Sequence, residues 1–188
     1  MSYLNQALLV PSWERWIDKA LQVEPGNLIA CWPLDNKSGA VARNVAPSGA
    51  AFNGAIVGAD VAQPGIGDGT TAMWFDGVGD YINIWSPALA NAFNGNEGTL
   101  LIWAKVATRG VWADGTIRRV AHLQVSASYA ITIYRNSVNG DLGVGRNAGG
   151  WKVVNALGLS HVGWMAWAVS WSVSGDALIG YLNGTPTG

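Results

Sequence analysis

The sequence has little of what marks a catalytic, metal-binding or nucleic-acid-binding chain. Of its 188 residues only 12% are charged, and 11 Lys and Arg against 12 Asp and Glu leave a formal net charge of -1. So balanced a chain offers no basic field to draw in a phosphate backbone or an anionic lipid surface, so neither nucleic acid nor membrane is expected as a partner. Cys31 is the only cysteine; it stands between Ala30 and Trp32 and reads as a small buried hydrophobe. With two histidines, His122 and His161, there is no Cys/His cluster to suggest zinc. Apolar runs all fall short of the ~20 residues that span a bilayer. Met1 to Val10 lacks the basic start and the small-residue cleavage site of a secretory signal, so folding in a cytoplasm is expected.

Glutamate is scarce too. Glu14, Glu24 and Glu97 are the only three, and none sits in a Glu-x-Asp-x-x-Glu arrangement, which on one strand sets an acid and a nucleophile ~5 Å apart. Neither histidine accompanies a Ser or Cys nucleophile motif. An enzyme is not expected.

What the chain does have is 25 glycines, 11 tryptophans and 49% hydrophobic residues. Short apolar or alternating runs separated by Gly, Asn, Asp and Pro predict strands near Leu28–Pro33, Ala55–Val57, Thr71–Phe75, Tyr81–Trp85, Thr99–Val106 and Arg118–Val125. Further strands are expected near Tyr129–Arg135, Asp141–Arg146, Trp151–Val154, Trp164–Ser172 and Ala177–Leu182. Asn139-Gly140-Asp141, Ala148-Gly149-Gly150, Ser174-Gly175-Asp176 and Asn183-Gly184 supply turns. Strands this short and this frequent suggest a sandwich or jelly roll. In the run Met165 to Ser172 the period is two, with Met165, Trp167, Val169 and Trp171 on one face and Ala166, Ala168, Ser170 and Ser172 on the other. The bulky face is expected to be core, as are most of the tryptophans. Leu100 to Val106 is apolar on both faces apart from Lys105, which predicts a central strand covered on both sides at least in part.

Residues 1–26 read as a separate leader before a sandwich over 27–188. Pro11-Ser12 starts a helix of about three turns, in which Trp13, Trp16, Ile17, Ala20 and Leu21 share a face. Burying Trp16 and Ile17 would contribute roughly 1.5–3 kcal/mol each. Two partners fit that stripe equally: the chain's own sandwich, or another subunit to which Trp13, Trp16, Ile17 and Leu21 would anchor it.

Five segments in order resemble the laminin-G-like jelly-roll family, a branch of the concanavalin A-like lectin and glucanase fold. They are Ala30-Cys31-Trp32-Pro33-Leu34-Asp35 with Ser38-Gly39, Phe75-Asp76-Gly77 with Asp80-Tyr81-Ile82, Thr99 to Val106, Gly163-Trp164 with Ala168-Val169, and Gly180-Tyr181-Leu182-Asn183-Gly184. The resemblance implies an all-β, antiparallel two-sheet jelly-roll sandwich. Gln63 to Gly69 and the segment from Phe93-Asn94-Gly95 to Trp103 resemble versions carried by bacteriophage structural proteins, which implies a virion component assembled in the host cytoplasm, on a capsid or a tail. Its partners would then be other virion proteins or its own copies. Relatives continue past the Tyr-Leu-Asn-Gly hairpin, so the chain is expected to lack the last strands of the fold.

The same resemblance implies calcium as the candidate cofactor, held by Asp35, Asp76 and Asp80 on the sandwich rim. The residues themselves favour another role for Asp76 and Asp80, as turn formers that bond their own backbone beside glycine. A polysaccharide would need exposed aromatic faces with amide or carboxylate groups at hand, and Trp112 with Asp114 and Trp151 with Asn147 are the loop candidates. If exposed, these indoles suit a protein partner equally well.

Overall fold

The computed structural model describes residues 15–22, 25–93, 95–126, 129–136, 142–156 and 162–187. Trp13, His161 and the Asn139-Gly140-Asp141 turn lie outside them. The chain is mostly β, with thirteen strands in four antiparallel sheets among the described residues, and it separates into two compact units, Met1–Phe93 and Asn94–Gly188.

In the first unit, helix α1 (Trp16–Ala20) turns Ile17 into a small cluster with Cys31 and Ala46, against which Trp16, Leu21 and Leu28 pack. Ile17 is 2% exposed, so this part of the apolar stripe is covered by its own unit, while Trp16 and Leu21 are only half-buried. Burial also pushes the Cys31 thiol pKa up, as suits a core cysteine. No strand forms over Leu28–Pro33, contrary to the pattern. Cys31 N–H instead donates to Asn44 Oδ1 at 2.7 Å, the Cys31 carbonyl accepts from Val45 N–H at 2.8 Å, and the Ser48 hydroxyl donates to the Ile29 carbonyl. Side chains have taken the place of a sheet ladder there.

Strands β1 (Val41–Ala42), β2 (Gly54–Val57), β3 (Asp60–Pro64), β4 (Thr71–Trp74) and β5 (Tyr81–Asn83) make two small sheets, β1-β2-β5 and β3-β4. Helix α2 (Pro87–Ala92) follows. Ser86 Oγ accepts the Leu89 N–H at 3.0 Å and Pro87 starts the helix, a capping arrangement visible in the sequence as Ser-Pro.

The second unit has longer strands. They are β6 (Glu97–Ala104), β7 (Arg118–Ser126), β8 (Tyr129–Arg135), β9 (Leu142–Ala148), β10 (Trp151–Ala156), β11 (Met165–Ser172), β12 (Ala177–Leu182) and β13 (Thr185–Pro186), in two four-stranded sheets, β10-β9-β8-β7 and β13-β12-β11-β6. Met165, Trp167, Val169 and Trp171 are all buried, as their period-two spacing predicts. From the other sheet Ile131, Ile133, Leu142 and Val144 are buried too, and a Cβ placed on Gly180 of β12 would stand 3.1 Å from a Val144 methyl of β9. The two sheets therefore pack face to face, and each large side chain in the layer contributes roughly 1.5–3 kcal/mol.

Two expectations fail here. Among the described residues β6 stands at the end of its sheet, with Leu101 51% and Trp103 36% exposed, because its apolar pattern carries no information about how many neighbours the strand has. Nor are most tryptophans core. Trp112, Trp167 and Trp171 are buried, whereas Trp74, Trp85, Trp103 and Trp151 are exposed.

Candidate functional site

The two faces of the β10-β9-β8-β7 sheet differ because β9 alternates large with small. Leu142, Val144 and Arg146 point to the other sheet, leaving Gly143, Gly145 and Asn147 on the outer face. The ladder then places three rows across that face. Gln124, Ala130, Asn147 and Trp151 form one, His122, Thr132, Gly145 and Val153 the next, and Arg119, Tyr134, Gly143 and Asn155 the third. Rows two residues apart on strands ~4.8 Å apart make a face of roughly 14 by 14 Å.

Its floor is the small side chains of β8 and β9: Ala130, Thr132, Gly143, Gly145 and Asn147 are all buried. The edge strands stand higher, with Trp151, Val153, Arg119, His122 and Gln124 exposed. Two glycines sit tightly under aromatic rings. A Cβ on Gly145 would meet the Trp151 ring at 3.1 Å, and one on Gly143 would meet Tyr134 Cζ at 2.5 Å and Asn155 Oδ1 at 2.9 Å. The indole and the phenol therefore lie across the two glycines. Trp151 remains 59% exposed, and an apolar ring so presented is a stacking platform.

Polar groups surround the rings. His122 Nε2 and Gln124 Oε1 are 3.0 Å apart on β7, and Asn147 lies directly opposite Trp151 in the ladder. Asn155 Oδ1 is buried with no hydrogen-bond partner among the described residues, an acceptor left unsatisfied beside Gly143. Burial also raises the Tyr134 pKa above the ordinary phenol value. The sequence carried a signal for this face in the alternation of Leu142-Gly143-Val144-Gly145-Arg146-Asn147, but Tyr134, Asn155 and the β7 side chains were missed because pairing partners are not local.

Of the residues singled out from the sequence, Trp151 and Asn147 come together on this face and Trp112 and Asp114 do not. Trp112 lies in a 3-10 turn, Arg109–Ala113, is 4% exposed and packs on Trp167 with ring centroids 5.9 Å apart, so it has no free face for a ligand. Its backbone carbonyl accepts from buried Arg135, which also donates to the Thr116 carbonyl at 2.6 Å and to Asp114 Oδ1 at 3.0 Å. Asp114 is thereby a structural carboxylate. The Thr116 N–H and the Arg118 guanidinium hold its pKa below the ordinary aspartate value.

The calcium candidates are engaged otherwise. Asp76 Oδ1 accepts the N–H groups of Val78 and Gly79 at 2.7 and 3.2 Å, while Asp80 Oδ2 accepts the Asp76 N–H at 2.8 Å, a self-capped turn. The Val78 and Gly79 bonds lower the Asp76 pKa. Asp35 lies 3.9 Å from Arg15 and lines a recess of about 400 Å³ with Arg15, Lys37 and Arg43, cations that repel a divalent ion. Among the described residues no three His, Cys, Asp or Glu side chains group to hold a metal, and no helix is long and apolar enough to cross a membrane. Of the anchor residues, Ile17 is in the first unit's interior, Trp16 and Leu21 are half-buried, and Trp13 lies outside the described residues.

Compared with protein-family models, with curated proteins and with solved structures, the chain matches none.

Proposed function

We propose that this protein is a non-enzymatic recognition module with a lectin-like jelly-roll sandwich, and that it binds polysaccharide on the outer face of the β10-β9-β8-β7 sheet. One observation carries the reading: Trp151, 59% exposed, lies across Gly145 beside Asn147, an apolar plate next to an amide. A pyranose offers the complementary pair, an apolar ring face and a rim of hydroxyls. Placement in a bacteriophage virion rests on the resemblance of Gln63–Gly69 and Phe93–Trp103 and is the setting we favour for this activity. Attachment there falls to Trp16 and Leu21, since Ile17 is already buried.

Retention on immobilised polysaccharides tests the reading. The parent is expected to be retained on at least one, and Trp151→Ala to lose that retention with an unchanged circular dichroism spectrum. A Trp151→Ala variant retained like the parent would leave this face without the role. Deleting residues 1–22 tests the setting, because unchanged incorporation into particles would refute attachment through the leader.

A further inference from the structure

From the charges on the same face, and resting on the reading above, we infer that the polysaccharide is anionic, bearing carboxylate or sulfate groups, and that Arg119 is the side chain that reads the charge. Three observations converge. The face has no carboxylate among its described residues, although the whole chain has more acidic than basic side chains, 12 against 11. Arg119, exposed, is its one fixed charge, and no carboxylate among the described residues pairs with it. The neighbouring arginines contrast with it, since Arg118 and Arg135 both bind Asp114 and Arg146 binds Asp176.

The register shows how Arg119 comes to be there. Ala121 pairs with Ile133, in the row that faces the core, and plain alternation would put Arg119 in a core-facing row as well. A shift in the ladder between Arg119 and Ala121 instead sets Arg119 opposite Tyr134, in the outer row that ends at Asn155. An irregularity of this kind re-aims a side chain at the cost of ladder hydrogen bonds. The result is a guanidinium, a phenol lying over Gly143 and a buried unpartnered amide oxygen in one row, about 14 Å along the strands from the Trp151 row. A guanidinium binds carboxylate or sulfate oxygens with paired, charge-assisted hydrogen bonds. An acidic sugar chain stacked on Trp151 and crossing the face diagonally, over roughly 20 Å, would bring its charge to Arg119 on the opposite edge strand.

Four matrices separate the possibilities: polygalacturonate, its methyl ester, dextran sulfate and dextran. Retention on polygalacturonate or dextran sulfate is expected to exceed that on the uncharged counterpart at least about tenfold, the range of one charge-assisted hydrogen bond. It should fall in 0.5 M NaCl, where the screening length is only a few ångströms, and Arg119→Gln should remove most of the difference while Arg119→Lys restores part of it. The carboxylate and sulfate arms tell the two anion types apart. Equal retention on charged and uncharged partners, or an Arg119→Gln variant that keeps the preference, overturns this inference and leaves the proposed function standing. Retention on none of the four, with none on a wider polysaccharide panel, overturns both.

Discussion

The two faces of the β10-β9-β8-β7 sheet are made from the same strands and have opposite fates. Inward, Ile131, Ile133, Leu142 and Val144 are each no more than 3% exposed and face the sheet whose own inner side carries buried Trp167 and Val169. Outward, the central positions shrink to Gly143 and Gly145, and two aromatic rings lie close over them, Tyr134 where a Gly143 Cβ would stand and Trp151 in tight contact with one on Gly145. Size on one face builds stability, and its absence on the other makes room for a surface. Even charge follows the division: Arg135 and Arg146 are buried inward, each tied to an aspartate, whereas Arg119 is left open.

The contrast breaks most sharply at two tryptophans. Trp167→Ala should cost about 3–5 kcal/mol in denaturant unfolding, the range for emptying a large buried site. Trp167→Phe should cost far less, because the indole N–H it removes is buried with no partner among the described residues. If Trp167→Ala unfolds like the parent, the inner layer is not where stability lies. Next in size is Gly143→Ala, whose new methyl must displace Tyr134 and Asn155; about 1–3 kcal/mol is expected, together with altered Tyr134 fluorescence. A neutral result would mean that the phenol does not lie across the glycine.

A smaller effect is expected from acid. Asp114 is depressed by the Thr116 N–H and Arg118, and Asp176 by Lys152 and Arg146, so both carboxylates bind protons more weakly folded than unfolded. Their contribution is present above the ordinary aspartate range of about 3.9 and is lost as pH falls through the lower folded values. Melting temperature followed from pH 6 to pH 2 should drop at the acid end, and the drop should be shallower in Asp114→Asn; identical slopes would contradict the pairing. The smallest change belongs to the outer face, where Trp151→Ala should alter stability by no more than about 0.5 kcal/mol. A cost near that of Trp167→Ala would erase the distinction between the faces.

Strands β7 to β12 were legible because their period is two and their ends carry turn residues. Gly149-Gly150 separates β9 from β10, and Gly149 takes φ +81°, a value that glycine adopts without strain. Trp112 was misread for a related reason: among Gly and Asp it has the look of a loop tip, yet its ring packs on Trp167, 55 residues further along the chain. Leu28–Pro33 has strand composition, but Asn44 and Ser48 capture its backbone groups. Two residues of the candidate site, Trp151 and Asn147, were chosen from the residues; Tyr134, Asn155 and Arg119 joined it only through cross-strand register.

By itself the amino-acid order determined the strand-rich character of the chain, the buried face of β11 and the glycine spacing of β9, since alternation and turn preference act between near neighbours. Tertiary structure alone decided that β6 is an edge, that Trp112 is interior and that Arg119 faces out, because each depends on which distant strand lies opposite and on a one-residue shift in the ladder. A shift that small exchanges inside for outside while leaving the local pattern untouched.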